Sequence, residues 1–381
     1  MKVYFDNAAT TPLRQEVIDA MLQVMQNQYG NPSSIHSFGR EMRSAIEGAR
    51  KTVAKLLKVS PAEIFFTSGG TESNNMAIRC SVNDHKITHA ISSRIEHHAV
   101  THTLDDLEHK GVLKVSWVKL SPQGEVDYDH LEELLKNNPR SLVSLMHANN
   151  ELGTLNDIDR IGELCKQYNA IFHCDTVQAI GHFPHDLIKT HVDFISCAAH
   201  KFHGPKGVGF IYISNRLKIS PLITGGAQER NMRGGTENAY GIIGLAKALE
   251  LAYHEMEEDK KHITGLKKYM IKKITEEIPG TKFNGNTGDN SLYTVLNVSL
   301  PPHQGKEMIL FNLDIAGIAA SGGSACSSGS EIGSHVLAGI HADPERPAVR
   351  FSFSRYNTKE EVDYCVEKLK ELFAVNAEVK H

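Results

Sequence analysis

Residues 171–181 read Ile171-Phe-His-Cys-Asp-Thr-Val-Gln-Ala-Ile-Gly. After a polar connection, residues 192–209 read Val192-Asp-Phe-Ile-Ser-Cys-Ala-Ala-His-Lys-Phe-His-Gly-Pro-Lys-Gly-Val-Gly. Two short apolar runs, 171–174 and 192–195, have the length and make-up of buried strands. Asp175 closes the first, and Lys201 follows the second in a turn rich in His, Gly and Pro. A carboxylate and an ammonium at the ends of neighbouring buried strands are costly unless each has a partner.

The sequence on either side predicts what surrounds this pair. Strand patterns fall at 63–67, 87–92, 112–120, 142–147 and 208–213, with helical spacing at 16–28, 39–57, 97–109, 128–136 and 158–168. A turn at 68–73 feeds a further helix that runs to about residue 80. Strands that alternate with helices imply right-handed crossovers and a mostly parallel sheet covered on both faces. With the two runs above, that sheet has seven strands. Ligands bind at the carboxyl ends of such strands. Asp175, His147, Asn149, Asn150 and the turn Gly69-Gly70-Thr71 all fall at strand ends. From residue 237 a helical pattern runs to about 278, interrupted only at Gly241, Gly244 and Gly265, and Pro279-Gly280 ends it. A smaller α+β unit follows, with strands expected at 293–299 and 348–352 and helices at 306–313, 332–337 and 359–373. The expected division is a large α/β domain over 14–254 and a small domain made of 1–13 and 255–381.

The composition is that of an ordinary globular protein of 381 residues with a formal net charge of −4. Without a long block of one sign, the chain has no obvious surface for nucleic acid or for anionic lipid. No stretch is apolar for long enough to span a bilayer. The start, Met1-Lys-Val-Tyr-Phe-Asp, lacks the apolar run of a signal peptide, so a cytoplasmic location is expected. No two cysteines form a Cys-x-x-Cys pair, which argues against a zinc ribbon or a thioredoxin-type redox site. Cys80, Cys165, Cys174, Cys197 and Cys365 lie in or beside apolar runs and read as small buried hydrophobes. No metal site is expected.

Cys326 is different. It stands in Ser321-Gly-Gly-Ser-Ala-Cys-Ser-Ser-Gly-Ser, with no apolar neighbours to pack against, and an exposed thiol in a small-residue loop often marks a nucleophile. Gly69-Gly70-Thr71, between a strand and a helix, offers helix-terminal N–H groups to an anion. It is not a Walker loop, because the Gly-Lys-Ser/Thr ending is missing. His97 heads a helix; it is either a helix-start residue or an imidazole stacked on a flat aromatic cofactor and available for proton transfer. Arg350, in a strand pattern, either faces solvent or clamps a carboxylate with its fork of N–H groups. Pyridoxal phosphate is a ligand that uses both halves of the opening pair. It needs a lysine for its imine and a carboxylate to keep its ring nitrogen protonated. His200 could supply part of the field that Lys201 needs, or bind phosphate.

Together these positions resemble the cysteine desulfurases of the NifS/IscS type, within the class V aminotransferase group of fold-type I pyridoxal-phosphate enzymes. The motifs run in the family's order along nearly the whole chain. They are Phe5-Asp-Asn-Ala-Ala-Thr-Thr-Pro, Gly30-Asn-Pro-Ser-Ser, Thr67-Ser-Gly-Gly-Thr-Glu-Ser-Asn-Asn, Glu96-His-His-Ala-Val and His147-Ala-Asn-Asn-Glu-Leu-Gly. His173-Cys-Asp-Thr-Val-Gln, His200-Lys-Phe-His-Gly-Pro-Lys-Gly, Arg233-Gly-Gly-Thr-Glu-Asn, the Cys326 loop and Val349-Arg-Phe-Ser complete the set.

The resemblance implies the pyridoxal-phosphate-dependent transferase fold and a role for each position. Lys201 would carry the cofactor covalently, Asp175 would pair with the ring nitrogen, and Gln178 would bond the ring hydroxyl. His97 would stack on the ring. Gly70, Thr71 and His200 would hold the phosphate, and Thr236 would reach the phosphate of the other subunit of a homodimer. Asn150 and Arg350 would hold the carboxylate of L-cysteine. Cys326 would take the substrate's sulfur as a persulfide, release L-alanine, and pass the sulfur to an acceptor protein such as a NifU/IscU-type iron–sulfur scaffold or a thiolation carrier. Two departures stand out. The family usually has a serine two or three residues before the His-Lys pair, where this chain has Ala198 and Ala199, and the span from Cys326 to Arg350 is a few residues short. The alternatives are another class V enzyme, such as a selenocysteine lyase or an aminotransferase, and a non-catalytic partner that keeps the fold.

Overall fold

The buried apolar runs pair edge to edge, because a strand hidden on both faces has no water to satisfy its backbone and must bond to neighbours. The computed structural model describes residues 1–323 and 333–374. In chain order it contains β1 (Val3–Tyr4), α1 (Gln15–Asn27), α2 (Ser37–Leu56), β2 (Ile64–Thr67), α3 (Gly70–Asp84), β3 (His89–Ser92), α4 (His98–His109) and β4 (Lys114–Trp117). Next come α5 (Tyr128–Asn137), β5 (Leu142–Ser144), α6 (Ile158–Gln167), β6 (Ile171–Asp175), β7 (Phe194–Ala198) and β8 (Gly209–Ile213). The remainder is α7 (Ala239–His254), α8 (Met256–Glu277), β9 (Lys282–Asn284), β10 (Val295–Ser299), α9 (Ile309–Ile315), β11 (Ile318–Ala319), α10 (His335–Gly339), β12 (Ala348–Ser352) and α11 (Lys359–Ala374).

The seven expected strands form one sheet in the order β2-β8-β7-β6-β5-β3-β4. All are parallel except β8, which runs antiparallel to both of its neighbours. The register sets Asp175 beside Ser196, and Gly209 between Thr67 and Ala198. A Cβ on Gly209 would stand 2.1 Å from the Cys197 carbonyl oxygen and 2.8 Å from the Gly69 Cα. Glycine is therefore what lets the β2–α3 turn close over this edge of the sheet.

One apolar core packs helices against this sheet, from Val17 on α1 to Leu249 on α7. A separate core is built by Val3 and Phe5 with residues from Ile263 to Leu369. It lies against an antiparallel sheet, β12-β10-β9, and a two-stranded parallel pair, β1-β11. Among the described residues no helix is long and apolar enough to cross a membrane.

Three expectations need correction. The helical pattern over 237–278 is two helices, and its glycines do not break it. The break is at Glu255, whose carboxylate is held by Arg14 at 2.6 Å and by Arg355. Gly244 instead lets α1 approach, since a Cβ there would meet the Met21 Sδ at 2.7 Å. The helix expected over 332–337 runs from His335 to Gly339 with Ser334 as its cap, and residue 332 lies outside the described residues. The strands expected over 112–120, 142–147 and 192–195 are Lys114–Trp117, Leu142–Ser144 and Phe194–Ala198. Beyond these bounds single backbone bonds continue, such as Leu145 N–H to the His173 carbonyl and Val118 N–H to the Ser92 carbonyl.

A buried ion pair ties α2 to the turn after β8. Arg50 grips Glu229 through two bonds of 2.7 and 2.9 Å, and Glu229 also accepts from the Phe66 N–H at 2.8 Å. Glu229, Arg230 and Asn231 all have positive φ, which the pair helps to hold. Glu229→Ala leaves the buried Arg50 guanidinium with only Glu47 and the Ile64 carbonyl, and strips the Phe66 N–H of its acceptor, so it is expected to cost about 3 kcal/mol by urea unfolding. Removing the exposed Lys58–Asp186 pair should cost far less.

Candidate active site

The carboxyl ends of β5, β6 and β7 open into a cavity of about 240 Å³. Ten of the residues around it were singled out individually from the sequence: Gly70, Thr71, His97, Asn150, Asp175, Gln178, Ala198, His200, Lys201 and Arg350. Thr236 is not among them; it lines a separate cavity of about 180 Å³ with Arg233 and Glu229. Cys326 lies outside the described residues.

Asp175 ends β6 and is almost fully buried. Its Oδ2 accepts from the Asn74 amide at 2.7 Å, and its Oδ1 from the Val177 N–H at 2.9 Å. Lys201 closes a short 3-10 turn after β7. Its Nζ donates to the carbonyls of Ala8 and Ala9 at 2.7 and 2.9 Å, and the Gln178 amide donates to the same Ala8 oxygen at 3.0 Å. The ammonium is thus held against the N-terminal segment at the cavity wall.

His97 is the N-cap of α4, where its Nδ1 accepts from the Ala99 N–H at 3.0 Å. That bond leaves Nε2 to carry the proton of a neutral ring. Burial holds the imidazole pKa below its ordinary value, against the opposing pull of Asp175. His200 is pushed down to about 4, by burial and then by Lys201 and Lys206. Its Nδ1 lies 3.2 Å from the Thr10 hydroxyl. Both rings are neutral near pH 7.

The N-terminus of α3 has no side-chain cap, and Gly69 before it has φ 149°, with nothing within 4 Å of where a Cβ would stand. Gly70 and Thr71, which begin this helix, line the cavity, so an uncapped helix N-terminus borders it, the arrangement that binds anions. Arg350 is 1% exposed. It donates to Asp6 Oδ1 at 2.8 Å and to the Asn150 carbonyl at 3.0 Å, and its Nε has no partner among the described residues. A buried guanidinium N–H without an acceptor is a donor that a ligand carboxylate can fill.

These features fit pyridoxal phosphate on the chemistry of the donor set. A carboxylate, a lysine, a neutral imidazole and an uncapped helix end surround one cavity, with a further guanidinium for a carboxylate. Ala198 lines the cavity, whereas Ala199 is buried against Gly204. Only position 198 could therefore have offered the cofactor a hydroxyl.

The described residues on either side of Cys326 bond to Arg350 and to chain neighbours of other cavity residues. Ser321 pairs with Arg350 through the backbone, and its hydroxyl donates to Asp6 at 2.9 Å. Ser334 donates to Glu151, and His335 Nε2 meets the Glu96 carbonyl at 2.9 Å. His98 and His102 stand one helical turn apart with rings stacked at 4.5 Å, but among the described residues no three His, Cys, Asp or Glu side chains are placed to hold a metal.

Sequence reasoning missed four contributors. The Ala8 and Ala9 carbonyls are backbone groups and carry no side-chain signal. Asp6 reaches Arg350 from the far end of the chain. Asn74 sat within a quoted motif and could have been found, because it lies one helical turn after Gly70 on the same face.

The family model described as aminotransferase class-V matches residues 3–365. A curated relative from Dictyoglomus turgidum, "Cysteine desulfurase IscS", is 45% identical, over 97% of this chain and 94% of its own length. A solved "NIFS-LIKE PROTEIN" superposes with a TM-score of 0.91 at 38% identity, covering 98% of this chain and all of the other. A structure described as "SspA in complex with cysteine" matches at TM-score 0.80 and 31% identity, over 94% of this chain and all of its own. The chain belongs to the aminotransferase class-V family, whose members depend on pyridoxal phosphate. Within that class it falls with the cysteine desulfurases of the IscS/NifS type, and neither the aminotransferase nor the non-catalytic alternative is favoured.

Buried neutral histidines give the fold an acid limit. Burial lowers His173 and His185 to about 4 and His147 to about 3. In the unfolded chain each takes its proton near 6.5. Between these values the unfolded chain binds more protons, so stability is full above pH 6.5 and falls as pH drops toward 4. Urea unfolding at pH 7 and pH 5 should show a loss on the order of 1–2 kcal/mol for each such histidine.

Proposed function

We propose that this cavity binds pyridoxal 5′-phosphate and L-cysteine, and that the chain makes L-alanine and a persulfide on Cys326. The single observation that carries the reading is the convergence of Lys201, Asp175, His97, the open end of α3 and buried Arg350 on one cavity. Pyridoxal phosphate, when bound, supplies a ring that accepts negative charge from the substrate's Cα.

The chain's own groups do the rest. Asp175, fixed by two donors, keeps the ring nitrogen protonated. Gln178 bonds the ring hydroxyl, and neutral His97 stacks on the ring. The Gly70 and Thr71 N–H groups, the Thr71 hydroxyl and His200 hold the phosphate. Lys201 holds the cofactor and then takes the Cα proton at Nζ. Arg350 and Asn150 hold the substrate carboxylate, with the Arg350 Nε as the open donor. The Cys326 thiolate attacks the substrate sulfur and the carbon–sulfur bond breaks. The sulfur stays on Cys326, a proton is returned to the carbon, and alanine leaves. An acceptor thiol, such as that of a NifU/IscU-type iron–sulfur scaffold, then takes the sulfur.

A homodimer is supported by exposed apolar groups beside the Gly30 turn, where Tyr29 is 75% and Ile35 90% exposed. In such a dimer Thr236 would reach the partner's phosphate. The division into a large domain over 14–254 and a small one of 1–13 and 255–381 is supported by the two separate cores, and the reading places the enzyme in the cytoplasm.

Alanine and sulfide formed from L-cysteine test this. Cys326→Ala should bind the cofactor with wild-type absorbance and lose persulfide formation; full sulfide release by it would sink the mechanism. Lys201→Ala should lose the absorbance of the covalently held cofactor and turnover together. Arg350→Lys loses the two-pronged grip, and its KM for L-cysteine should rise about tenfold or more.

A further inference from the structure

Behind Asp175 lies a chain of buried polar groups that the reaction itself does not use. Asn74, on α3, bonds Asp175 through Nδ2 at 2.7 Å. Its Oδ1 is 3.1 Å from His173 Nε2, which is also 3.2 Å from the Ser196 hydroxyl. His173 Nδ1 is 2.8 Å from the Ser144 hydroxyl. His173, Ser144 and Ser196 are fully buried, and Asn74 is 1% exposed.

The direction of every bond follows from one fact: a carboxylate can only accept. Asn74 must then present its NH₂ to Asp175 and its carbonyl oxygen to His173. His173 must present Nε2–H to that oxygen. Burial keeps this imidazole neutral, with its pKa near 4, so Nδ1 carries no proton and accepts from the Ser144 hydroxyl. The chain crosses three elements, α3, β6 and β5, and each member fixes the orientation of the next.

We propose that Asn74, His173 and Ser144 form a one-way hydrogen-bond relay that positions the Asp175 carboxylate toward the ring nitrogen of the cofactor, with the neutral Nε2–H tautomer of His173 as its fixed point. These are positioning residues, and the inference rests on the reading of the cavity as a pyridoxal-phosphate site. The relay explains why a polar histidine, an asparagine and two serines occupy positions in the sheet's interior where apolar residues would pack at lower cost. It makes Asp175 a poor point for substitution and Asn74 the group through which the rest of the interior acts on it.

The test titrates pyridoxal 5′-phosphate into the cofactor-free full chain, for wild type, Asn74→Ala and Ser144→Ala. Absorbance of the bound cofactor reports affinity and environment, and melting of each cofactor-free protein checks folding. Asn74→Ala removes a hydrogen bond to a charged group, so affinity should fall about 10- to 100-fold, with a shifted absorbance maximum. Ser144→Ala should shift the same maximum by less. In the cofactor-free wild type, ¹⁵N NMR of labelled histidines should show His173 neutral with its proton on Nε2.

Wild-type affinity and spectrum in both variants, or an Nδ1–H tautomer at His173, would overturn the relay. Should Asn74→Ala not fold, the Ser144→Ala spectrum and the His173 tautomer decide it. A wild type that takes up no cofactor would overturn the reading of the cavity, and the relay's purpose with it. That outcome is distinct, because the tautomer is measured without cofactor.

Discussion

The burial of Asp175 constrains much of what surrounds it. A carboxylate at the carboxyl end of a central strand, 6% exposed, must be met by donors or it would give up its charge. β6 itself can supply only the Val177 N–H just beyond its end. The second donor, Asn74, has to come from a helix that crosses above the strand ends, and that fixes where α3 must run. A helix placed so that its second turn reaches Asp175 has its first turn, Gly70 and Thr71, at the same cavity. The close approach of Gly69 to Gly209 makes this placement sterically open. One buried charge thereby brings the open helix end beside it, and an anion-binding end next to a ring-nitrogen partner is what a phosphorylated pyridine needs.

The N-terminal segment acts as a strap between the two cores. Asp6 accepts from Arg350 and Ser321, Asn7 donates to the Ser352 carbonyl, and Ala8 and Ala9 accept from Lys201. Thr11 bonds the backbone on either side of Lys201, at His200 and His203. Within six residues the same stretch touches Arg350, the strand that carries it, and Lys201. The distance between Arg350 on the small sheet and Lys201 on the large one is therefore set by one short piece of backbone. Its small residues, Ala8 and Ala9, let the carbonyls approach the ammonium without a side chain in the way.

The alternation of strands and helices made the seven-stranded sheet legible, because burial on both faces leaves an unbroken apolar run. Asp175 and Lys201 were legible for the same reason, since charge at the end of such a run stands out. The long helical pattern over 237–278 was misread because glycine looks like a breaker from sequence. The actual break at Glu255 depends on Arg14 and Arg355, which arrive from distant parts of the chain. The two-residue pair β1-β11 is too short to have a period. For His97, the two readings weighed from sequence are compatible: the ring caps α4 through Nδ1 and still lines the cavity. Helix capping fixes the face that the imidazole presents.

The alanine at 198 can be weighed against what remains. A serine there would add one hydroxyl to the proposed phosphate site. Without it, the site still has the uncapped N–H groups of α3 and the Thr71 hydroxyl, and neutral His200 can donate but brings no charge. Binding then leans on backbone donors and the helix dipole, whose effect is confined to the first turn. That turn is itself restrained: Glu72 accepts from the Ser68 N–H at 2.9 Å and pairs with Arg233 at 2.9 Å. Arg233 leads directly into Gly234-Gly235-Thr236, and Thr236 is the residue proposed to reach the partner's phosphate. Through one ion pair, the end of α3 that serves this cavity is coupled to the stretch that would serve the other, so a chain lacking the hydroxyl depends more heavily on the Glu72–Arg233 pair to keep both in place.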